Sequence, residues 1–411
     1  MTTTATPFDR DGRPGPLRGL RVLEIASIGP GPFAGMLLAD LGADVIRVDR
    51  PGSDPSRPAP EDDAVNRGRR SIVLDLKSPA GRALALDLAA RADVLIEGFR
   101  PGVMERLGLG PDACLAANPA LVYGRVTGWG QDGPLASTAG HDIGYIAVTG
   151  ALHAIGPAEE PPPPPLNLVG DNAGGGMLLA LGVLAAVAHA RATGAGQVVD
   201  AAIVDGASLL TTLFHGRLAA GWWRDERGAN LIDGGAPFYG TYRCADGRHL
   251  AVGAIEERFR AELLDKLGVA AGDPLRRDMA DPASWPGARE RIAAIIATRT
   301  RDEWARVLDG DACAAPVLSL TEAPDHPHLA ARGTFTGVGG VRQPAPAPRF
   351  SATPSGPPRP APAPGADSRA ILAALGHGED AITALAGAGV TALTATDRPT
   401  GGSADRRRRE R

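Results

Sequence analysis

The sequence predicts an α/β chain with a parallel sheet, followed by a smaller α+β region. Three observations carry this expectation. Strand-like and helix-like runs alternate through residues 20–210, the pattern of parallel strands with helices on the sheet faces. A Gly-Pro-Gly-Pro turn, Gly29–Pro32, joins the first strand run to the first helix run. After Asn230 the texture changes to paired short strands and amphipathic helices. At about 100–200 residues per domain, 411 residues make two or three domains.

Taken in order, Leu20–Ile25 (LRVLEI) reads as a strand, FAGMLLADLG as a helix, and Ala43–Val48 (ADVIRV) as a buried strand. Strand, turn, helix and strand within about 30 residues form a βαβ unit. The pattern repeats with a strand over Ser71–Leu76, a helix over Pro79–Arg91 opening on proline, and strands over Asp93–Glu97 and Leu121–Val126. Residues 127–172 hold few clear elements and are rich in Gly, Asp and Pro, including Pro161–Pro165. A long irregular stretch in a chain of this size is a place to look for function. Gly174–Ala190 predicts an apolar helix, Gln197–Ile203 a strand, and Asp205–Trp223 further helix. Ala236–Arg243 and Arg248–Ala254 flank Ala-Asp-Gly, a hairpin signal. Helices are expected near 257–267 and 287–298, an extended Pro/Ala-rich path over 343–364, and short helices at Ser368–Leu375 and Asp380–Gly387.

The expected organisation is a flexible arm over 1–19, a large domain over 20–225 and a small domain over 226–325. A Pro-rich return segment with C-terminal helices packing on the large domain follows over 326–390, then a disordered Arg-rich tail over 391–411.

Composition narrows the function. Apolar residues at 44% and charged residues at 22% exclude wholesale disorder. A net charge of −4 gives no general pull toward nucleic acid or anionic lipid. Aromatics are only 4%, so Ala, Leu and Val must supply most core contacts. Cys114, Cys244 and Cys313 are too sparse for a disulfide framework and suit a reducing compartment. The N-terminus lacks the apolar stretch of a secretory signal, so a cytoplasmic location is expected. Gly174–Ala190 is shorter than the roughly 20 apolar residues of a membrane span, opens on three glycines and contains His189. It reads as a core helix. No His/Cys/Asp cluster has metal-ligand spacing, and no GxGxxG follows the first strand, which argues against NAD.

Several stretches then line up: RVLEIASIGPGPFAGMLLADLGADVIRVDRPG, RGRRSIVLDLKSP, DVLIEGFRPGVMERLGLGP, GRVTGWGQDGP, AGHDIGYIAVTGALHAIG, PPLNLVGDNAGGGM, GQVVDAAIVDGAS and GAIEERF. In this order and spacing they resemble the family III coenzyme A transferases, the CaiB/BaiF-like superfamily. Within it they resemble the branch that racemises 2-methylacyl-CoA thioesters. The resemblance covers about residues 16–390. It implies a Rossmann-like large domain, a smaller α+β domain and an interlocked homodimer. It implies an acyl-CoA substrate, with coenzyme A as part of that substrate and no separate cofactor, metal, nucleic acid or membrane insertion.

Racemisation at the α-carbon needs acid/base groups on both faces and donors for the enolate oxygen. The resemblance assigns the bases to His141 in AGHDIGY and Asp171 in NLVGDNAGGGM, with Glu256 in GAIEERF as the carboxylate partner of the histidine, reached from the other chain. Imidazole titrates near neutrality, which suits a base of either protonation state. Asp171, just before the apolar helix, also reads as its N-cap. Gly174, Gly175 and Gly176 would allow close approach of a thioester. Coenzyme A contacts carried by the resemblance fall on Ile28, Arg50, Leu74, Leu76, Lys77, Gly98, Arg100, Arg106 and Tyr145. Most lie just beyond strands, where open α/β sheets bind ligands. Asn172-Ala173 departs from the usual aromatic-glycine pair and bears on the acyl pocket. The alternative within the family is a CoA transferase with Asp171 as nucleophile. The resemblance separates the two at His141, which transferases usually lack.

Overall fold

A computed structural model describes residues 7–8, 13–52 and 59–394. It divides into two units, one drawn from the described parts of Met1–Gly140, Gly170–Gly206 and Gly333–Arg411, the other from His141–Val169 and Ala207–Arg332. Most of the expected tail, with Arg406–Arg409, lies outside the described residues, as do 1–6 and 9–12 of the expected arm. Phe8 is buried in the core, and Thr391 is buried with its Oγ1 donating to the Val73 carbonyl at 2.7 Å.

The first unit is built on a six-stranded sheet: β1 (Arg21–Ile25), β2 (Asp44–Asp49), β3 (Arg70–Val73), β4 (Val94–Glu97), β5 (Val122–Thr127) and β6 (Gln197–Ala202). All neighbours are parallel, in the order β3-β2-β1-β4-β5-β6, which is the Rossmann order. Alternate residues of each strand feed opposite faces. Leu23, Ile25, Ile46, Val48, Ile72, Leu95 and Tyr123 form one core with Leu84 and Leu88 of the helix α2 (Pro79–Arg91). The helices Ser368–Ala374 and Glu379–Gly387 join that core through Ile371, Leu372 and Ile382. Val22, Val45, Val94, Ile96 and Val122 form the other, with Ala34 and Leu38 of the helix α1 (Pro30–Asp40) and with Leu179, Val183 and Val187.

Those last three belong to the helix Leu178–Thr193. With the turns before it, Leu168–Thr193 is long and apolar enough to cross a membrane by composition alone. Its inner face packs on β5, β6 and α1, as expected of a core helix. The segment Leu168–Met177 is π-helical. Asp171 therefore sits inside a wide helical turn and is not the N-cap of the α-helix. A π turn inside a helix is a frequent mark of a functional site.

The second unit holds a three-stranded antiparallel sheet of Tyr239–Arg243, His249–Gly253 and Ala314–Pro316. The hairpin was legible; the third strand was not, and neither was the hairpin Phe335–Val338 with Val341–Pro344 in the first unit. Helices Glu257–Lys266, Trp285–Ile296 and Arg301–Val307 close an apolar core around Phe238, Leu250, Ile292 and Trp304.

Candidate active site

β1 and β4 are neighbours whose onward connections run to opposite sides of the sheet. This switch point is where open α/β sheets bind ligands. A cavity of about 920 Å³ opens there, walled by residues 25–28, 47–52, 74–77 and 98–99 at the carboxyl ends of β1 to β4. Six of the nine coenzyme A positions expected from sequence line it: Ile28, Arg50, Leu74, Leu76, Lys77 and Gly98. Ile28, Arg50 and Lys77 are exposed in this wall. Arg100 and Arg106 are exposed on the segment after β4 but are not in the wall, and Tyr145 is buried in the second unit.

The floor is a buried ionic network that sequence reasoning missed. The Glu24 carboxylate accepts from Arg47 Nη1 at 2.6 Å and from Arg69 Nε at 3.0 Å. Arg47 Nε donates to Asp49 Oδ1 at 3.0 Å, and Ser71 Oγ donates to Asp49 Oδ2 at 2.6 Å. Burial works to lower the Arg47 pKa, but Glu24 and Asp49 outweigh it and raise it. Arg69 Nη2 reaches the Pro32 carbonyl, tying the network to the first turn of α1. The one signal in the sequence was charge inside strand runs, Glu24 in RVLEI and Arg47 in DVIRVD.

That first turn meets Asp171. Gly29 has φ 71°, a left-handed conformation that glycine adopts without cost. A Cβ there would lie 3.2 Å from Asp171 Oδ2. Asp171 is half-buried beside the residue that follows the cavity-lining Ile28. The adjacent glycines have a packing role not foreseen from sequence. A Cβ on Gly175 would lie 2.7 Å from Pro30 Cβ, and one on Gly176 2.8 Å from Phe33 Cδ1. They let the π turn seat against α1.

His141 and Glu256 lie in the second unit and Asp171 in the first. His141 is exposed at the N-cap of the helix Asp142–Val148, its carbonyl accepting from the Gly144 amide at 2.8 Å. Glu256 is exposed at the N-cap of Glu257–Lys266, its carbonyl accepting from Phe259 and Arg260 at 3.1 and 3.0 Å. Neither side chain caps its own helix, which leaves imidazole and carboxylate available for other partners. Among the described residues no hydrogen bond or ion pair joins His141 to Glu256 within one chain, and no group of three His, Cys, Asp or Glu is gathered as metal ligands.

Sheet order and cavity define a doubly wound α/β protein of the kind that binds nucleotide-bearing ligands. More particularly, the chain belongs to CoA-transferase family III, whose model matches residues 17–368. It is 45% identical over 344 residues to the α-methylacyl-CoA racemase of Mus musculus, covering 83% of this chain and 88% of that one. It is 33% identical over 393 residues to the succinyl-CoA–D-citramalate CoA-transferase of Chloroflexus aurantiacus, covering 90% and 97%. The crystal structure of a CaiB/BaiF family protein from Brucella suis superposes with a TM-score of 0.76 at 28% identity, over 88% of this chain and 100% of that one.

Proposed function

We propose that the chain interconverts (R)- and (S)-2-methylacyl-CoA thioesters by two-base proton transfer. One base takes the α-proton, and the C–H electron pair moves into an enolate whose charge rests on the thioester oxygen. The other base's conjugate acid returns a proton to the opposite face. His141 and Asp171 are the two groups, and Glu256 orients the imidazole. The CoA moiety occupies the cavity at the switch point, against Ile28, Leu74 and Leu76, with Arg50 and Lys77 toward its phosphates. Arg100, Arg106 and Tyr145 add contacts once substrate is bound. The enzyme works as an interlocked homodimer in the cytoplasm and takes no cofactor beyond the CoA of its substrate.

The observation that carries this reading is the joint presence of His141 and Asp171 in a chain 45% identical to an α-methylacyl-CoA racemase. The transferase reading has its own support, the 33% identity to a CoA-transferase. There the Asp171 carboxylate would attack the thioester carbonyl and expel the CoA thiolate, forming a mixed anhydride. One experiment separates them. A single epimer of a 2-methylacyl-CoA is incubated in heavy water, with and without a free carboxylic acid. Deuteration at the α-carbon with epimerisation, independent of added acid, is expected. CoA migration to the added acid without α-deuteration would replace the racemase reading with the transferase.

A further inference from the structure

The segment that leaves β4 supplies Gly98, Phe99, Val103 and Leu107 to the cavity wall. It contains only the four-residue helix Val103–Arg106, far too short to hold its shape unaided. Its shape comes instead from a charged network behind the wall. Glu97, the last residue of β4, is fully buried. Its Oε2 accepts from the Phe99 amide at 2.7 Å, and its Oε1 accepts from Arg125 Nε at 2.8 Å. The same guanidinium, buried on β5, donates Nη1 to Glu105 Oε1 at 2.8 Å and Nη2 to Glu105 Oε2 at 3.3 Å. Arg125 thus joins the root of the segment to the helix near its far end, using the planar fork that lysine lacks. Tyr123, also on β5, donates its hydroxyl to the Leu109 carbonyl at 2.9 Å, just past the segment.

We propose that Glu97, Arg125 and Glu105 are positioning residues that hold the 98–107 segment in the shape that binds the CoA portion of the substrate. The proposal rests on the reading of the cavity as the acyl-CoA site and goes beyond it by naming what keeps one wall preformed. None of the three is assigned a contact with the substrate. Arg125 is engaged by two carboxyl groups and is no phosphate clamp. Its role is geometric. Binding that must first order a loose segment loses affinity, so loosening this one weakens binding while the acid/base pair stays intact. Burial pushes the Glu97 carboxyl up, against the downward pull of the Phe99 amide and Arg125. A carboxylate kept in so poor a dielectric setting suits a fixed structural tie.

Glu105 offers the cleanest test of the three, because its side chain is 44% exposed. The full chain is assayed as wild type, Glu105→Ala, Glu105→Gln and Arg125→Lys. Racemisation is measured with a 2-methylacyl-CoA, binding with coenzyme A alone, and stability by thermal unfolding. Glu105→Ala should raise KM and the Kd for coenzyme A about tenfold, the size of one charge-assisted hydrogen-bond pair. Its kcat should stay within about twofold, since an interaction equal in ground and transition states moves KM alone. Glu105→Gln, which keeps one acceptor, should recover part of the affinity. Arg125→Lys should match or exceed the loss. Glu105→Ala with unchanged KM and Kd would overturn the proposal, whatever its melting temperature, while leaving the acyl-CoA reading standing. So would a loss confined to kcat. Wild-type chain that binds no coenzyme A would overturn the acyl-CoA reading, and the proposal with it.

Discussion

The two units handle charge differently. In the first, Glu24, Arg47, Asp49, Arg67, Arg69, Glu97 and Arg125 are all buried, and several lie in or beneath the cavity wall. In the second, the core is apolar around Phe238, Leu250, Ile292 and Trp304. Its ion pairs, such as Lys266–Glu262 and Arg248–Asp302, are solvated, and Arg301 is its one buried charged residue among those described. Buried pairs add little net stability, because desolvation offsets their attraction. They do fix geometry, since breaking one strands a charge. The first unit is therefore read as a frame that holds the cavity-lining loops in place, the second as a packed body that carries the exposed His141 and Glu256 at helix starts.

The largest effects should come from the acid/base groups. His141→Ala, in the second unit, and Asp171→Asn, in the first, should each lower kcat at least about 100-fold, the usual scale of a positioned general acid or base. Coenzyme A affinity should change little. Racemisation kinetics with a parallel binding assay checks both halves of the statement. A loss below tenfold at either residue would remove the two-base assignment.

Next comes the contrast in charge. Arg47→Met leaves Glu24 and Asp49 short of a partner in a buried setting. It should cost about 3–5 kcal/mol. Glu262→Ala removes one solvated i,i+4 partner of Lys266 and should cost about 0.5 kcal/mol or less. Chemical denaturation of both variants tests the comparison directly. Similar costs at the two sites would erase the distinction drawn between the units.

Much of the first unit could be read from sequence because its strands are short, mostly apolar runs, and β1 to β5 are buried on both faces. Predicted ends agree with β1 to β6 within one to three residues, and α2 was expected over its observed span. Six of the expected positions line the cavity because residues just past such strands gather at one edge of the sheet. The buried arginines were not, because Arg and Glu in a strand read as solvent-facing. Apart from Asp49, two residues from Arg47, their carboxylate partners lie 20 to 45 residues away, as with Arg125–Glu105 and Arg69–Glu24. The strand Ala314–Pro316 carries no β-preferring residue and exists only through pairing with His249–Gly253. The π turn at Asp171 was hidden because its glycines carry no side-chain periodicity. Its cause is long-range, the contact of Gly175 and Gly176 with α1.

Gly29→Ala joins the frame to the chemistry. An L-residue at φ 71° and ψ −122° is strained by about 1–3 kcal/mol. The new methyl would also stand 3.2 Å from Asp171 Oδ2, tighter than an ordinary contact. The expected result is a modest fall in melting temperature with about a tenfold fall in kcat. If kcat holds while stability falls, the first turn of α1 does not set the position of Asp171.

The smallest effect sharpens the comparison from the side of the second unit. Glu322 accepts from Arg301 Nη2 at 2.9 Å and Nη1 at 3.1 Å, and from the Ser319 amide at 2.9 Å. Arg301, followed by the Ser319 amide, holds the carboxyl down to about 2, against an ordinary 4.5. A depressed carboxyl stabilises the fold fully above its unfolded value and loses that contribution as pH falls toward the folded one. The window here runs from about 4.5 down to about 2. Glu322→Gln keeps the shape and removes the charge. The variant should therefore melt below the wild type near neutral pH, and the gap should close as pH drops through that window. Melting curves of both chains at a series of pH values measure it. A gap that stays constant down to pH about 2 would show that Glu322 acts through shape and hydrogen bonding alone. Arg301 would then be held without an ionic contribution to stability.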